Sequence, residues 1–145
     1  MYDPATKVYS HMITVEFEDV DSYHIVHNTR IVDYFERARV HLLVETIGLD
    51  LYPTGASFVL YDLNVRFTKA ARLLDSLVAT AFVISLDDYR LMLGYRLMRG
   101  SEALARGSSG IAFMDAKTGS LIPAPESYLE KIRPFVRTAR TTMEK

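Results

Sequence analysis

The chain has 145 residues, 49% of them hydrophobic and 24% charged, with a formal net charge of −1. That length suits one domain with a sizeable core, and the hydrophobic fraction excludes a disordered chain. The absence of cysteine excludes disulfides, thiolate metal sites and a cysteine nucleophile, while the near-neutral charge points away from nucleic acid.

The opening residues lack a basic-then-apolar leader pattern. No apolar run approaches the ~20 residues of a membrane helix. We therefore read a cytoplasmic, single-domain protein over residues 1–145, with a polar tail from about residue 137 and a frayed end over Thr138 to Lys145.

His11 to Glu18 alternates, with Ile13, Val15 and Phe17 on one side, and predicts a half-buried strand. Asp19 to His27 breaks the alternation and reads as a loop. From Asn28 to Ile47 the period becomes helical, with Ile31, Tyr34, Phe35, Ala38 and Leu42 on one stripe. Asn28 or Thr29 is the expected N-cap and Gly48 the stop. Val40, Val44 and Ile47 lie off that stripe, so the helix is expected to be central and wrapped by other elements.

Pro53 to Ala56 reads as a loop. Phe58 to Phe67 alternates, with Val59, Tyr61, Leu63, Val65 and Phe67 sharing a face. Lys69 to Asp75 is a basic connection. Strands follow at Ser76 to Leu86, Tyr89 to Met98 and Glu102 to Asp115, separated by turns at Asp87–Asp88 and Arg99–Ser101. Gly107 and Gly110 inside the last of these predict a bulge or a close backbone approach. A turn at Ala116 to Gly119 leads to a short strand at Ser120 to Ile122, stopped by Pro123 and Pro125. Glu126 to Val136 is a short helix interrupted near Pro134.

A strand, a long helix and then strands joined by short turns predict an α+β layer with an antiparallel sheet. Such a sheet leaves one face and its edges to be covered, which favours an oligomer.

Few chemical motifs are present. Gly107-Ser108-Ser109-Gly110 lacks the spacing of a nucleophile elbow. There is no phosphate-binding or dinucleotide glycine loop and no H-E-x-x-H. What remains is the polar segment Asp19 to Asn28, between a strand and the start of the long helix. A helix N-terminus offers unpaired N–H groups and the positive end of the macrodipole. A carboxylate held beside them can attack a carbonyl or deprotonate a water that does. The segment also has blander readings. Asp21 can be a turn carboxylate, Asp19 a loop-holding one, and His24 and His27 solvated loop residues. Two histidines beside two aspartates also form a metal-ligand set, but no metal is expected.

Glu18 to Arg39, EDVDSYHIVHNTRIVDYFERAR, resembles the signature of hot-dog-fold acyl-CoA thioesterases. The similarity is greatest to the hydroxybenzoyl-CoA thioesterase family, including its Tol-Pal-associated short-chain acyl-CoA thioesterases. Phe58 to Asp75, FVLYDLNVRFTKAARLLD, resembles the family's second-strand segment with its A-R-x-x-D turn. The resemblance implies a hot-dog fold, one long central helix wrapped by an antiparallel sheet of about five strands. It implies hydrolysis of an acyl-CoA or acyl-carrier-protein thioester, with CoA as part of the substrate and no cofactor.

By the same resemblance, Asp21 aligns with the catalytic carboxylate, as nucleophile or general base. The helix-start backbone at His27 and Asn28 polarises the thioester carbonyl. The family builds its site at a subunit interface, so a homodimer or homotetramer is expected, with Ser57, Phe58 and Val59 contributed by a partner's strand. Arg66, Lys69 and Arg72 suit CoA phosphates on charge alone. The family's Ala-Gly-Gly after the catalytic aspartate is replaced by Ser22-Tyr23-His24, so Tyr23 and His24 are expected to narrow the site or add a polar contact. Glu36 is a fallback base, since other hot-dog thioesterases place their carboxylate on the helix. Two rival functions remain: a non-catalytic acyl-CoA-binding module with Asp21 dispensable, and an enoyl-thioester hydratase or dehydratase using His24 or His27 beside Asp21.

Overall fold

Alternating apolar residues pair six strands into one antiparallel sheet, and the 3.6-residue stripe lays one long helix across it. The strands are β1 (Tyr2–Asp3), β2 (Val8–Thr14), β3 (Ala56–Phe67), β4 (Ser76–Leu86), β5 (Arg90–Arg99) and β6 (Glu102–Asp115). The helices are α1 (Asn28–Ile47) and α2 (Glu126–Ile132). The computed structural model describes residues 1–48 and 56–137. The loop expected at Pro53 to Gly55 and the tail expected from Thr138 lie outside the described residues, whereas Ala56 belongs to β3.

The sheet order is β1-β2-β4-β5-β6-β3. It is the α+β hot-dog arrangement expected, with one strand more than the expected five. The added strand is β1, which pairs Tyr2 with Tyr9 and Asp3 with Val8. Its turn is built by Asp3, whose carboxylate accepts the Ala5 N–H and the Thr6 hydroxyl. Ile31, Tyr34, Phe35, Ala38 and Leu42 of α1 are buried against Leu91, Leu93, Tyr95 and Leu97 of β5 and Leu77, Ala79 and Ala81 of β4. Phe35 stacks on Tyr95 at 5.1 Å, and the Tyr95 hydroxyl shares a 2.6 Å hydrogen bond with Ser109 in the core. Gly48, with φ at 87°, ends α1 and donates its N–H to the Val44 carbonyl.

Four local expectations are corrected. Phe17 does not continue the first strand. The chain turns into a 3-10 helix over Phe17–Asp19, because the Asp19 carboxylate captures the Glu16 N–H at 3.0 Å, and Phe17 is left 76% exposed. The N-cap of α1 is His27, with Asn28 the first helical residue. In β3 a register shift between Leu60 and Asp62 puts Tyr61 in a bulge. The bulge separates Val59 and Tyr61 from the helix-facing residues Leu63, Val65 and Phe67. Ser120 to Ile122 makes only an isolated bridge, Met114 to Leu121.

Candidate active site

The polar segment Asp19 to His27 is a closed loop rather than an open one. Val20 bridges Val26, and Ile25 bridges Arg72. The Val26 N–H donates to the Ala71 carbonyl at 2.9 Å, and the Leu73 N–H to the His24 carbonyl at 3.1 Å. The turn is made possible by His24, whose φ of 62° is left-handed and uncommon outside glycine.

Asp21 organises this turn from within. Its Oδ1 accepts the N–H of Tyr23 at 2.8 Å and of Ile25 at 3.2 Å. Its own N–H donates to the Ile25 carbonyl, and its carbonyl accepts from His24. The Ile25 amide above all, with the Tyr23 amide and the neighbouring His27 and His24, holds the Asp21 carboxyl below the usual aspartate range. No hydrogen bond to Oδ2 is recorded among the described residues.

Asp19 ties this loop to α1. Its backbone carbonyl accepts the His27 N–H at 3.0 Å, and its buried carboxylate lies 3.7 Å from the Arg30 guanidinium. Tyr34, one turn further along, is fully buried, and its hydroxyl has no hydrogen-bond partner among the described residues. Burial first, and then Asp19 beside it, push that phenol above the usual tyrosine range.

No side chain caps α1. The Arg30 N–H is taken by the His27 carbonyl, which leaves the first amides, at Asn28 and Thr29, to outside partners. Asn28 borders a cavity of about 260 Å³ between the helix start and the end of β3, lined in part by Ile25, Ile31, Thr68, Lys69 and Ala71. Thr68, Ala70 and Ala71 carry no functional expectation from the sequence, whereas Lys69 does. Their signal was the A-R-x-x-D turn, since the Asp75 carboxylate accepts the Arg72 N–H. A second residue not singled out, Arg99, braces this connection. It reaches Asp75 at 2.7 Å, Glu102 at 2.6 Å and the Ala70 carbonyl at 3.2 Å.

The structure brings some of the expected site residues together and separates others. Asp21, His27 and Asn28 are joined through the loop and helix start. Tyr23, 80% exposed, and His24, also exposed, project from the turn. Lys69 lines the cavity, but its ammonium is paired with Glu102 at 2.8 Å. Arg72 flanks the loop through its backbone bridge to Ile25. Arg66 sits on the opposite face of the sheet, beside Arg96 and Arg106. Ser57, Phe58 and Val59 lie at the far end of β3, about 30 Å from its Phe67 end. There Phe58 packs against Phe113 and Tyr128. Glu36 belongs to an ion pair with Arg39 at 3.8 Å. No group of three or more metal-ligating side chains occurs among the described residues, and no helix there is long and apolar enough to cross a membrane.

A long helix laid across an antiparallel sheet in this order is the hot-dog arrangement. Residues 15–132 match the thioesterase-like superfamily, and the chain belongs to it. It is 28% identical over 111 residues to the acyl-CoA thioesterase YbgC of Haemophilus influenzae, covering 74% of this chain and 81% of that one. Solved structures of the same fold include the Staphylococcus aureus protein SAV2348 in complex with CoA, with a TM-score of 0.80 at 15% identity over 95% of this chain and 93% of that one. Another is the 1,4-dihydroxy-2-naphthoyl-CoA thioesterase Slr0204 of Synechocystis, with a TM-score of 0.77 at 14% identity over 87% and 96%.

Proposed function

We propose that this chain hydrolyses acyl-CoA thioesters, with Asp21 as its reacting carboxylate. The observation that carries the proposal is the Asp21 carboxylate held by two backbone amides beside the uncapped start of α1. The family supports thioester hydrolysis as the reaction, and the named activity of YbgC and the CoA bound to SAV2348 support CoA as the carrier.

A carboxylate with its pKa held below the usual range is fully ionised at neutral pH. In that form it is available as the nucleophile, the role assigned to it here. Oδ2 attacks the thioester carbonyl while the amides at Asn28 and Thr29 take the developing oxyanion. The thiolate leaves, and water cleaves the resulting mixed anhydride to release the acid and restore Asp21. No metal or other cofactor enters these steps.

Two copies are needed to complete the site. β3 is an edge strand of 12 residues whose free side exposes Leu60, Tyr61, Leu63 and Phe67. An edge of that length and character invites pairing with another strand. Antiparallel pairing of two β3 strands about a two-fold axis sets the Ser57 end of one opposite the Phe67 end of the other. It thereby brings Ser57, Phe58 and Val59 toward the partner's loop.

The test is free-thiol release from a panel of short, long-chain and aromatic acyl-CoAs, with Asp21→Asn alongside. Release that is lost in the folded variant supports the proposal. Binding without release from any thioester supports a binding module, and loss of an enoyl chromophore with the thioester intact supports a hydratase.

A further inference from the structure

The face of the sheet opposite α1 carries an arrangement that the thioesterase reading does not use. Arg66 of β3 is directly opposite Arg106 of β6, and Arg106 is directly opposite Arg96 of β5. Three arginines therefore stand in one row across three neighbouring strands. Directly opposed residues place their Cβ atoms about 5 Å apart, and like charges there are destabilising.

Elsewhere among the described residues some cations are paired with carboxylates and others, such as Arg37, Arg72 and Arg90, are not. Arg30, Arg39, Lys69, Arg99 and Arg133 all have carboxylate partners. Among the described residues, Arg66 and Arg106 have no carboxylate within ion-pairing distance, and both are exposed. Arg96 is half-buried, with its guanidinium 5.9 Å from the centre of the Phe82 ring.

The next row along the strands is polar and small. Asn64 opposes Ser108, Ser108 opposes Gly94, and Gly94 opposes Phe82. A Cβ on Gly94 would stand 2.4 Å from the Phe82 ring, so Phe82 leans over the glycine and walls one side. The result is a cleft of about 390 Å³ with Phe82 and Ile84 on one flank and Asn64 and Arg66 on the other. That volume lies in the range of small-ligand sites.

We propose that this cleft binds a ligand carrying two or more phosphate groups, gripped by Arg66, Arg106 and Arg96. Guanidinium forks match phosphate oxygens bidentately. The row runs across the strands, so its three charges converge on one cross-section of the cleft. A compact polyphosphate reaches all three at once, whereas an extended acidic segment lying along the cleft would meet them at a single point. Two sources share this chemistry, the nucleotide end of CoA and a free nucleoside diphosphate. The CoA source rests on the acyl-CoA reading above; the site itself does not.

Calorimetric titration of the full chain with pyrophosphate, ADP and CoA at low ionic strength tests the site, using Arg66→Gln, Arg106→Gln, Arg106→Lys and Asp21→Asn. Saturable binding is expected, weakened at least tenfold by either glutamine variant, less by Arg106→Lys, and unchanged by Asp21→Asn. Without ligand, Arg106→Gln is expected to melt no lower than the parent chain, because the opposed charges are relieved. No saturable binding of any of the three ligands, or binding that both glutamine variants retain, overturns the proposal. If ADP competes with acyl-CoA and Arg106→Gln raises KM at constant kcat, the ligand is the substrate's nucleotide end. If ADP binds and KM is unmoved, the ligand is a separate nucleotide. A chain that binds pyrophosphate but releases no thiol keeps this site and loses the thioesterase reading.

Discussion

The Asp19–His27 loop and strand β3 treat their backbone groups in opposite ways. The loop closes on itself and on residues 71–73, so the N–H groups of Asp21, Tyr23, His24, Ile25, Val26 and His27 all have partners within the chain. β3 pairs on one side only, with β6, and leaves apolar side chains exposed along its length. The first region is preorganised before any ligand or partner arrives; the second is finished only when something adds to it. On the proposed function, a site built from both would depend on assembly for its completion, while its carboxylate loop is already in place.

The largest effect that breaks this comparison is expected at Asp21. Asn keeps an oxygen at Oδ1 for the two amides but has no ionised oxygen to react. Asp21→Asn should lower kcat for thiol release by about 10³-fold or more, in line with loss of a principal reacting group, with a thermal midpoint near that of the parent chain. Full activity in the folded variant would remove Asp21 from the reaction.

The β3 half of the comparison is tested next. Leu63, 39% exposed at the free edge, should tolerate Leu63→Lys in the single chain. It should not tolerate it in a two-fold contact, where the introduced charges oppose one another. A shift to monomer in analytical ultracentrifugation, with at least a tenfold drop in thiol release, is expected. Unchanged activity in a clearly monomeric variant would show that one chain is sufficient.

A smaller effect is expected at the tie between loop and helix. Asp19→Ala leaves the Glu16 N–H without its acceptor and Arg30 with Asp33 as its one remaining carboxylate among the described residues. Such a buried loss costs about 1–3 kcal/mol, and a thermal melt reads it as a fall of several degrees. If the loop were held by its backbone ladder alone, the midpoint would barely move.

How much of this was legible in the sequence follows from the range of each determinant. The helix α1 and its Gly48 stop are written in local periodicity and turn chemistry, and the Asp21 loop in a contiguous motif. The bulge in β3 was legible from one side only, in the Gly110 expected to mark a bulge or close approach, and its extra residue, Tyr61, was not. It seats the Tyr61 ring over Gly110, where a Cβ would stand 2.4 Å away, and the two residues are far apart in sequence. The short β1 went unread although Asp3-Pro4-Ala5-Thr6 is a turn signal, because two paired residues have no periodicity to detect. Phe17 alternated correctly and still pointed outward, since one carboxylate at Asp19 turned the backbone before it. The arginine row was the least visible feature: Arg66, Arg96 and Arg106 become neighbours only through the registers of β3, β5 and β6.

The smallest expected effect sharpens the role of the loop by pH. Asp21 has its folded-state pKa lowered first by the Ile25 amide, below an unfolded value of about 3.9. Its contribution to stability is therefore fully present above about pH 4 and is lost as the pH falls through the folded value. The thermal midpoint of the parent chain should fall more steeply below about pH 4 than that of Asp21→Asn, and the two curves should run parallel above it. Activity should follow the same group. With Asp21 reacting as the carboxylate, the acid limb of kcat/KM lies below about pH 4. An acid limb near neutrality that disappears in His24→Gln or His27→Gln would move the chemistry from the carboxylate to the imidazole.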